Sequence, residues 1–316
     1  MGKCMLCPRR CRADREKGET GVCRETDRIR VARAALHMWE EPCISGETGS
    51  GTVFFTGCSL GCVYCQNFQI SESRTGAEIS PDRLAEIFLE LQEKGAANLN
   101  LVTPTHFVPG IVKALETAKT DGLSLPVVYN TGGYELVETL RMLEGLVDVW
   151  LPDLKYLNPE NARRYSRAPD YPERAREALD EMVRQSGSPR FDEKGMMTRG
   201  VIVRHLLLPG CLKDAKHIVR YLYHRYGNRI YISLMNQYTP MESLDVKTYP
   251  GLGVRVSERA YRQLVDYALE LGVEQAFIQE GETAKESFIP PFTLEGVLPA
   301  DHAEKEGKES GTDVLI

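Results

Sequence analysis

Cys58, Cys62 and Cys65 stand at C-x3-C-x2-C spacing in the stretch Cys58-Ser-Leu-Gly-Cys62-Val-Tyr-Cys65. Iron–sulfur clusters are ordinarily tied by four Cys thiolates. A metal centre closed by protein ligands is structural, whereas one with an open position can take substrate. Three thiolates with no fourth nearby therefore suit a cluster with one corner left for a ligand. A zinc knuckle, or the reduced thiols of a turn, would also satisfy a bare triplet. Context favours the cluster. The triplet follows the β-branched and aromatic run Gly51-Thr-Val-Phe-Phe-Thr56 and precedes Gln66-Asn67-Phe68, so the ligands lie on the loop after a first strand.

A second set of thiols opens the chain: Cys4-x2-Cys7-x3-Cys11, then Cys23. Four thiolates in so short a span can close a tetrahedral zinc site or hold an additional iron–sulfur cluster. Gly18 and Gly21 break the loop before the last ligand. So short and polar a segment cannot bury enough apolar area to order itself, and a bound metal would do that. Zinc would be architectural; a second cluster could relay a reducing electron. Cys43 and Cys211 complete the nine cysteines and read as core thiols.

The odd cysteine count speaks against a disulfide framework and for a reducing compartment. The start Met-Gly-Lys-Cys-Met-Leu lacks the apolar core of a secretion signal, and Leu6 stands where a myristoylation motif needs Ser or Thr. No run approaches the roughly 18 apolar residues of a membrane span. A cytoplasmic protein is expected. The formal net charge of −6 argues against general nucleic-acid affinity. Residues 1–33 differ, with ten Lys and Arg against five acids, a local +5. That face could dock an acidic partner, offset the charge of a thiolate-bound metal, or simply be solvated.

These residues need a scaffold, and 316 residues with 42% apolar and 27% charged side chains allow one large α/β domain with appendages. Strand-like runs at 51–57, 98–103, 126–130, 147–151, 200–208 and 229–234, with 275–278 as a late addition, alternate with helical patterns. Most are apolar through both faces, as buried parallel strands are. Ser80-Pro81 opens a helix carrying Leu84, Ile87, Phe88 and Leu91 at helical spacing, and similar patterns cover 109–120, 134–144, 173–185, 213–226 and 257–271. Six βα units fit a partial (β/α)6 TIM-like barrel; a doubly wound open sheet fits the same periodicity. The expected division is a Cys-rich metal-binding segment over 1–45, the partial barrel over 46–290 and a loose polar tail over 291–316.

In parallel α/β architectures chemistry gathers at the C-terminal strand ends. Those ends are polar here: Thr103-Pro104-Thr105-His106, Asn130-Thr131-Gly132-Gly133, Asp153-Leu154-Lys155-Tyr156, Arg204-His205 and Asn236-Gln237. Converging Thr, Asn, Asp, Lys and Arg side chains suit an amino-acid zwitterion and a ribose. Each would serve equally as a helix or turn cap. His106 and His205 are candidate proton carriers, though buried structural imidazoles are the commoner case.

With Tyr64 directly before Cys65, the pattern C-x3-C-x-φ-C resembles that of the radical S-adenosylmethionine (SAM) enzymes. The resemblance extends from Cys4 to about Val297. It is to activating enzymes of glycyl radical proteins, such as pyruvate formate-lyase activating enzyme, and more closely to a sister group with a cysteine-rich amino terminus. It implies a [4Fe-4S] cluster on Cys58, Cys62 and Cys65 with SAM at the fourth iron, and a 5′-deoxyadenosyl radical that removes a hydrogen atom. Carried over by position, Lys155 and Arg204 would hold the SAM carboxylate side, Tyr64 would border adenine and Asp153 would orient polar groups nearby. Two departures concern the activase assignment. Thr103-Pro104-Thr105 replaces a Gly-Gly-Glu that receives the SAM amino group, and Asn130 stands where Asp is frequent.

Three substrate classes follow. A backbone glycine of a partner protein would make the chain an activase, and a small molecule or peptide would make it a tailoring enzyme. A non-enzymatic metal-dependent module binding protein or nucleic acid is the reading from another class. An enzyme of this kind would draw electrons from a donor such as flavodoxin or ferredoxin.

Overall fold

The computed structural model describes residues 3–72, 75–241, 244–279 and 289–299. Its strands are β1 (Ile29–His37), β2 (Ser50–Phe55), β3 (Ala77–Ile79), β4 (Leu99–Val102), β5 (Val127–Thr131), β6 (Val149–Pro152), β7 (Arg190–Phe191), β8 (Met197–Leu206), β9 (Tyr231–Met235) and β10 (Ala276–Ile278). Its helices are α1 (Pro42–Ser45), α2 (Phe68–Ser71), α3 (Pro81–Glu93), α4 (Val108–Thr120), α5 (Val137–Arg141), α6 (Pro159–Ser166), α7 (Tyr171–Ser186), α8 (Leu212–Tyr226) and α9 (Glu258–Glu270).

Strands β2, β4, β5, β6, β8, β9 and β10 run parallel, each paired with the next in that order. A doubly wound sheet requires the strand order to reverse at a switch point. Here it never does, so right-handed crossovers place the helices on one face and the sheet curls around the other. This is the partial barrel. It stays open because β2 turns its free edge to β1 rather than to β10, with β3 beyond, both antiparallel.

Alternation along the strands separates the two faces. Leu99, Leu101, Tyr129, Trp150, Val201, Val203 and Leu234 point outward into the core shared with the helices. Val128, Val149, Leu151 and Ile202 point inward and pack on Cys43 and Ile44 of α1 and on Met197, which opens β8. The short helix α1 therefore plugs the barrel at its strand-entry end. Two residues further along the same inward faces come Asn130, Asp153 and Arg204.

Local signals account for most helices. In α3 the Ser80 hydroxyl accepts from the Arg83 amide at 3.0 Å, Pro81 occupies the first turn, and Leu84, Ile87, Phe88 and Leu91 are buried. Helix α5 is shorter than the expected 134–144. Tyr134 is held by Asp170 at 2.7 Å and Glu135 by the hydroxyls of Thr105 and Thr131, which keeps this stretch out of the helix. Helix α6 was not anticipated, although Asn158 caps the Glu160 amide at 2.9 Å and Pro159 follows it.

Both expected outer boundaries differ. Residues 29–37, placed with the Cys-rich segment, form β1 in the main sheet because Ile29, Val31, Ala32 and Ala34 are buried there. The tail expected from 291 begins as ordered chain. The Leu294 amide donates to Ala32 O at 3.1 Å, the Ala34 amide donates to Glu295 O at 2.8 Å, and Val297 is fully buried. The remainder of that tail, 300–316, lies outside the described residues.

Candidate active site

The C-terminal strand ends and the loop after β2 enclose a cavity of about 570 Å³. Cys58, Cys62 and Cys65 line one wall; Thr103, Asn130, Asp153, Lys155 and Arg204 line the lumen facing them. Tyr64 borders the same space, its hydroxyl 2.6 Å from that of Tyr156. Thr105 is the candidate that the fold removes. It is buried behind the wall and donates to Glu135 at 2.6 Å.

The lumen residues are bound to one another. Lys155 Nζ lies 2.6 Å from Asp153 Oδ2, Arg204 Nε lies 3.0 Å from Asp153 Oδ1, and Arg204 Nη2 donates to Asn130 Oδ1 at 2.6 Å. Burial alone would raise the Asp153 carboxyl, but Lys155 and Arg204 outweigh it and hold it below the ordinary range. Burial would likewise lower Lys155, and Asp153, then Cys62, hold it up. Both charges persist at neutral pH. Thr103 has φ +58°, a left-handed conformation unusual for a β-branched residue. Such strain is found where a site fixes its backbone.

Sequence reasoning missed Glu40 and Glu41. They follow β1 and enter the lumen from below, where Glu40 accepts from Asn100 at 2.9 Å, from Asn130 at 3.1 Å and from Arg204 Nη1 at 3.1 Å. Acid pairs ordinarily mark solvated turns. Only the tertiary course of β1, itself masked by Arg30 and Arg33, carries this pair inward.

The cysteine loop is built to receive an anionic sulfur cluster. Ser166 Oγ lies 3.0 Å from Cys62 Sγ, Ser71 Oγ donates to Cys65 Sγ at 3.6 Å, and the Leu60 amide donates to Cys58 Sγ at 3.4 Å. Hydrogen bonds to sulfur stabilise bound thiolates and tune cluster potential. Burial raises the Cys62 thiol, and burial with Cys58 and Cys62 as neighbours pushes Cys65 up to about 12. Among the described residues no three Cys, His, Asp or Glu side chains meet closely enough for a single ion. A cluster asks for less convergence, because each thiolate binds a different iron. The donor set fits a [4Fe-4S] cluster.

The amino-terminal thiols face one another beside this loop. Any Cβ on Gly21 would sit 3.1 Å from Cys11 Sγ and 3.3 Å from Cys23 Sγ. Burial pushes Cys7 up to about 12 and Cys23 to about 11. Cys11 goes the other way: amides of Ala13 and Val22, Cys4 and Arg15 outweigh its burial. Arg9 ties this knot to the cluster loop, donating to Ser59 O at 2.8 Å, Leu60 O at 3.1 Å, Ser166 O at 2.8 Å and Arg167 O at 2.6 Å.

The two candidate proton carriers, His106 and His205, lie outside the cavity lining. His106 Nε2 donates to Thr56 O at 2.6 Å and His205 Nδ1 lies 2.8 Å from Leu154 O, both buried. Cys43 is buried in the plug and Cys211 half-buried before α8. No helix among the described residues is long and apolar enough to cross a membrane.

Comparison with known proteins gives four findings. An uncharacterized protein of Methanocaldococcus jannaschii is 29% identical over 282 residues, covering 85% of this chain and 76% of its own length. Among solved structures, the FeFe-hydrogenase maturase HydG from Carboxydothermus hydrogenoformans aligns over 70% of this chain and 56% of its own, at 13% identity and TM-score 0.44. The catalytic domain of a hyperthermophilic chitinase from Pyrococcus furiosus aligns over 61% and 68%, at 14% identity and TM-score 0.35. Resemblances that slight say nothing of activity. The family pattern is decisive instead: it matches residues 52–210, just over half of the 316 residues and inclusive of Cys58, Cys62 and Cys65, and the chain belongs to the Radical SAM superfamily.

Proposed function

We propose that this protein is an enzyme that cleaves SAM reductively and uses the resulting radical to abstract hydrogen from a small substrate held in the barrel lumen. One observation carries the reading: three cysteines with sulfur-directed donors form the wall of the same cavity that Asp153, Lys155, Asn130 and Arg204 line. When bound, a [4Fe-4S] cluster on Cys58, Cys62 and Cys65 together with SAM supplies one-electron cleavage of the sulfonium and a 5′-deoxyadenosyl radical.

The chain's own residues do the rest. Lys155, fixed by Asp153, presents a cation for a carboxylate, and Asn130 and Thr103 offer neutral polar groups where the activating enzymes carry a carboxylate. The Tyr64–Tyr156–Ser166 relay ends on Cys62 and orients that sulfur. A lumen of about 570 Å³, plugged below by α1, suits a ligand of drug-like size, commonly bound in cavities of roughly 300–1,000 Å³. The glycyl-radical activase remains the reading carried by Asp153-Leu-Lys155 and predicts an electron paramagnetic resonance doublet on a partner protein. Flavodoxin or ferredoxin would be the electron donor. The amino-terminal cysteines would hold a second cluster, or zinc once their sulfurs draw together around one ion, which iron and zinc counting distinguishes.

The test is anaerobic reconstitution followed by a deoxyadenosine assay. Wild type forms 5′-deoxyadenosine from SAM, and Cys62→Ala loses iron and forms none. Undiminished deoxyadenosine from Cys62→Ala would refute the proposal.

A further inference from the structure

We infer that the floor of the lumen is a receptor for an aliphatic ammonium or guanidinium group on a small substrate, with Glu41 as its counter-charge. The inference rests on the reading of this cavity as a substrate site and names the class of substrate.

Every other charge in the lumen is matched. Glu40 accepts from Asn100, Asn130 and Arg204; Asp153 accepts from Lys155 and Arg204. Glu41 lines the cavity and is only 9% exposed. Its Oε2 is buried with no hydrogen-bond partner. An orphaned buried acceptor costs about 1–3 kcal/mol, and more for a charged group. Burial pushes this carboxyl up, Arg204 opposes that, and Glu40 adds to it. Arg204, the nearby cation, is itself bound to Glu40, Asp153 and Asn130.

The ligand class follows from charge and shape. Three carboxyl groups, Glu40, Glu41 and Asp153, share the lumen with two cations, Lys155 and Arg204, so an entering cation balances the third carboxyl as it ionises and an anion does not. Above the floor Phe54, Leu206, Met235 and Phe277 offer apolar walls to an alkyl chain. That chain runs toward the cysteine wall, because Glu41 and Cys58, Cys62 and Cys65 border one continuous space.

Agmatine, which carries both cationic groups and no carboxylate, is the probe, with pentane-1,5-diol as the uncharged comparator. Binding to the wild-type chain is followed by calorimetry and by the emission of Trp39, which borders the cavity and is one of two tryptophans. Agmatine should bind saturably where the diol does not, and Glu41→Gln should weaken agmatine by roughly tenfold or more, the value of a charge-assisted hydrogen bond. Equal binding of the diol, no binding of agmatine, or unchanged affinity in Glu41→Gln would overturn the inference. The two wild-type titrations decide even if the variant folds poorly. Deoxyadenosine formation is measured separately on wild type, so loss of SAM cleavage and loss of amine binding are distinguishable failures.

Discussion

At the scale of single residues, what was legible was the chemistry that depends on type and spacing. The cysteine triplet needed no tertiary information, because its ligands sit within one loop. Asn130, Asp153 and Arg204 stood out as polar residues closing apolar strands; in the structure each follows an inward apolar residue by two positions and so shares its face. Thr105 and the histidines obey no such rule. His106 illustrates how burial decides. Its ring is held neutral, burial pushing its pKa down to about 3 against a weaker pull from Thr56 O. A base depressed in the folded state takes its proton first in the unfolded chain, so its stabilising share is complete above the unfolded value of about 6.5 and is lost as pH falls toward 3. Between pH 7 and pH 5 the loss amounts to roughly 2 kcal/mol. His106→Gln keeps a donor for Thr56 and cannot titrate. Urea unfolding of the two proteins should therefore show a steeper acid decline in wild type; parallel profiles would mean that the imidazole protonates without unfolding.

At the scale of elements, periodicity located the regular helices and failed where tertiary contacts rule. Helix α5 lost its first turn to Asp170, Thr105 and Thr131, the first two of them far away in sequence. Strand β1 was hidden because alternating arginines read as surface, whereas Arg30 and Arg33 fold over the sheet edge to Glu78 and Glu295. The amino-terminal knot was read from its thiols, but its attachment was not. Arg9 reaches four carbonyls on two other elements and stacks over Tyr134 at 5.3 Å, so the knot braces the loop between Cys58 and Cys62. Only a planar fork fills that set. Arg9→Lys should keep the fold and cost about 2 kcal/mol. It should also release iron to a chelator several-fold faster after reconstitution, followed by loss of the cluster's visible absorption. Release at the wild-type rate would show that the loop holds its shape without the brace.

At the scale of the whole molecule, periodicity alone left a barrel and a doubly wound sheet open, because it reports each element and not the order in which strands pair; the partial barrel was expected from the family resemblance. Sequential pairing from β2 to β10 decides for the barrel, and the open side raises a problem of its own. An unpaired edge on an apolar sheet invites association. The chain covers it with β1 and β3, and then with its own late residues. Phe292 packs edge-on against Phe54 at 5.5 Å, Glu295 pairs with Arg33 at 2.8 Å, and Arg83 Nε donates to Val297 O at 3.1 Å. Gly296 makes the close approach, at φ +71° and with room for no Cβ, which would stand 2.0 Å from Ala34 O. Substitution there combines backbone strain with a clash against main chain that has no rotamer to yield. Gly296→Ala should destabilise by about 2–4 kcal/mol and expose the apolar flank at Phe54, read as a lower urea midpoint and increased binding of a hydrophobic dye. Because the cavity is bordered by Phe54 and by Pro290, agmatine affinity should fall in the same variant. A Gly296→Ala protein as stable as wild type would mean that residues 289–299 lie on the sheet without securing it.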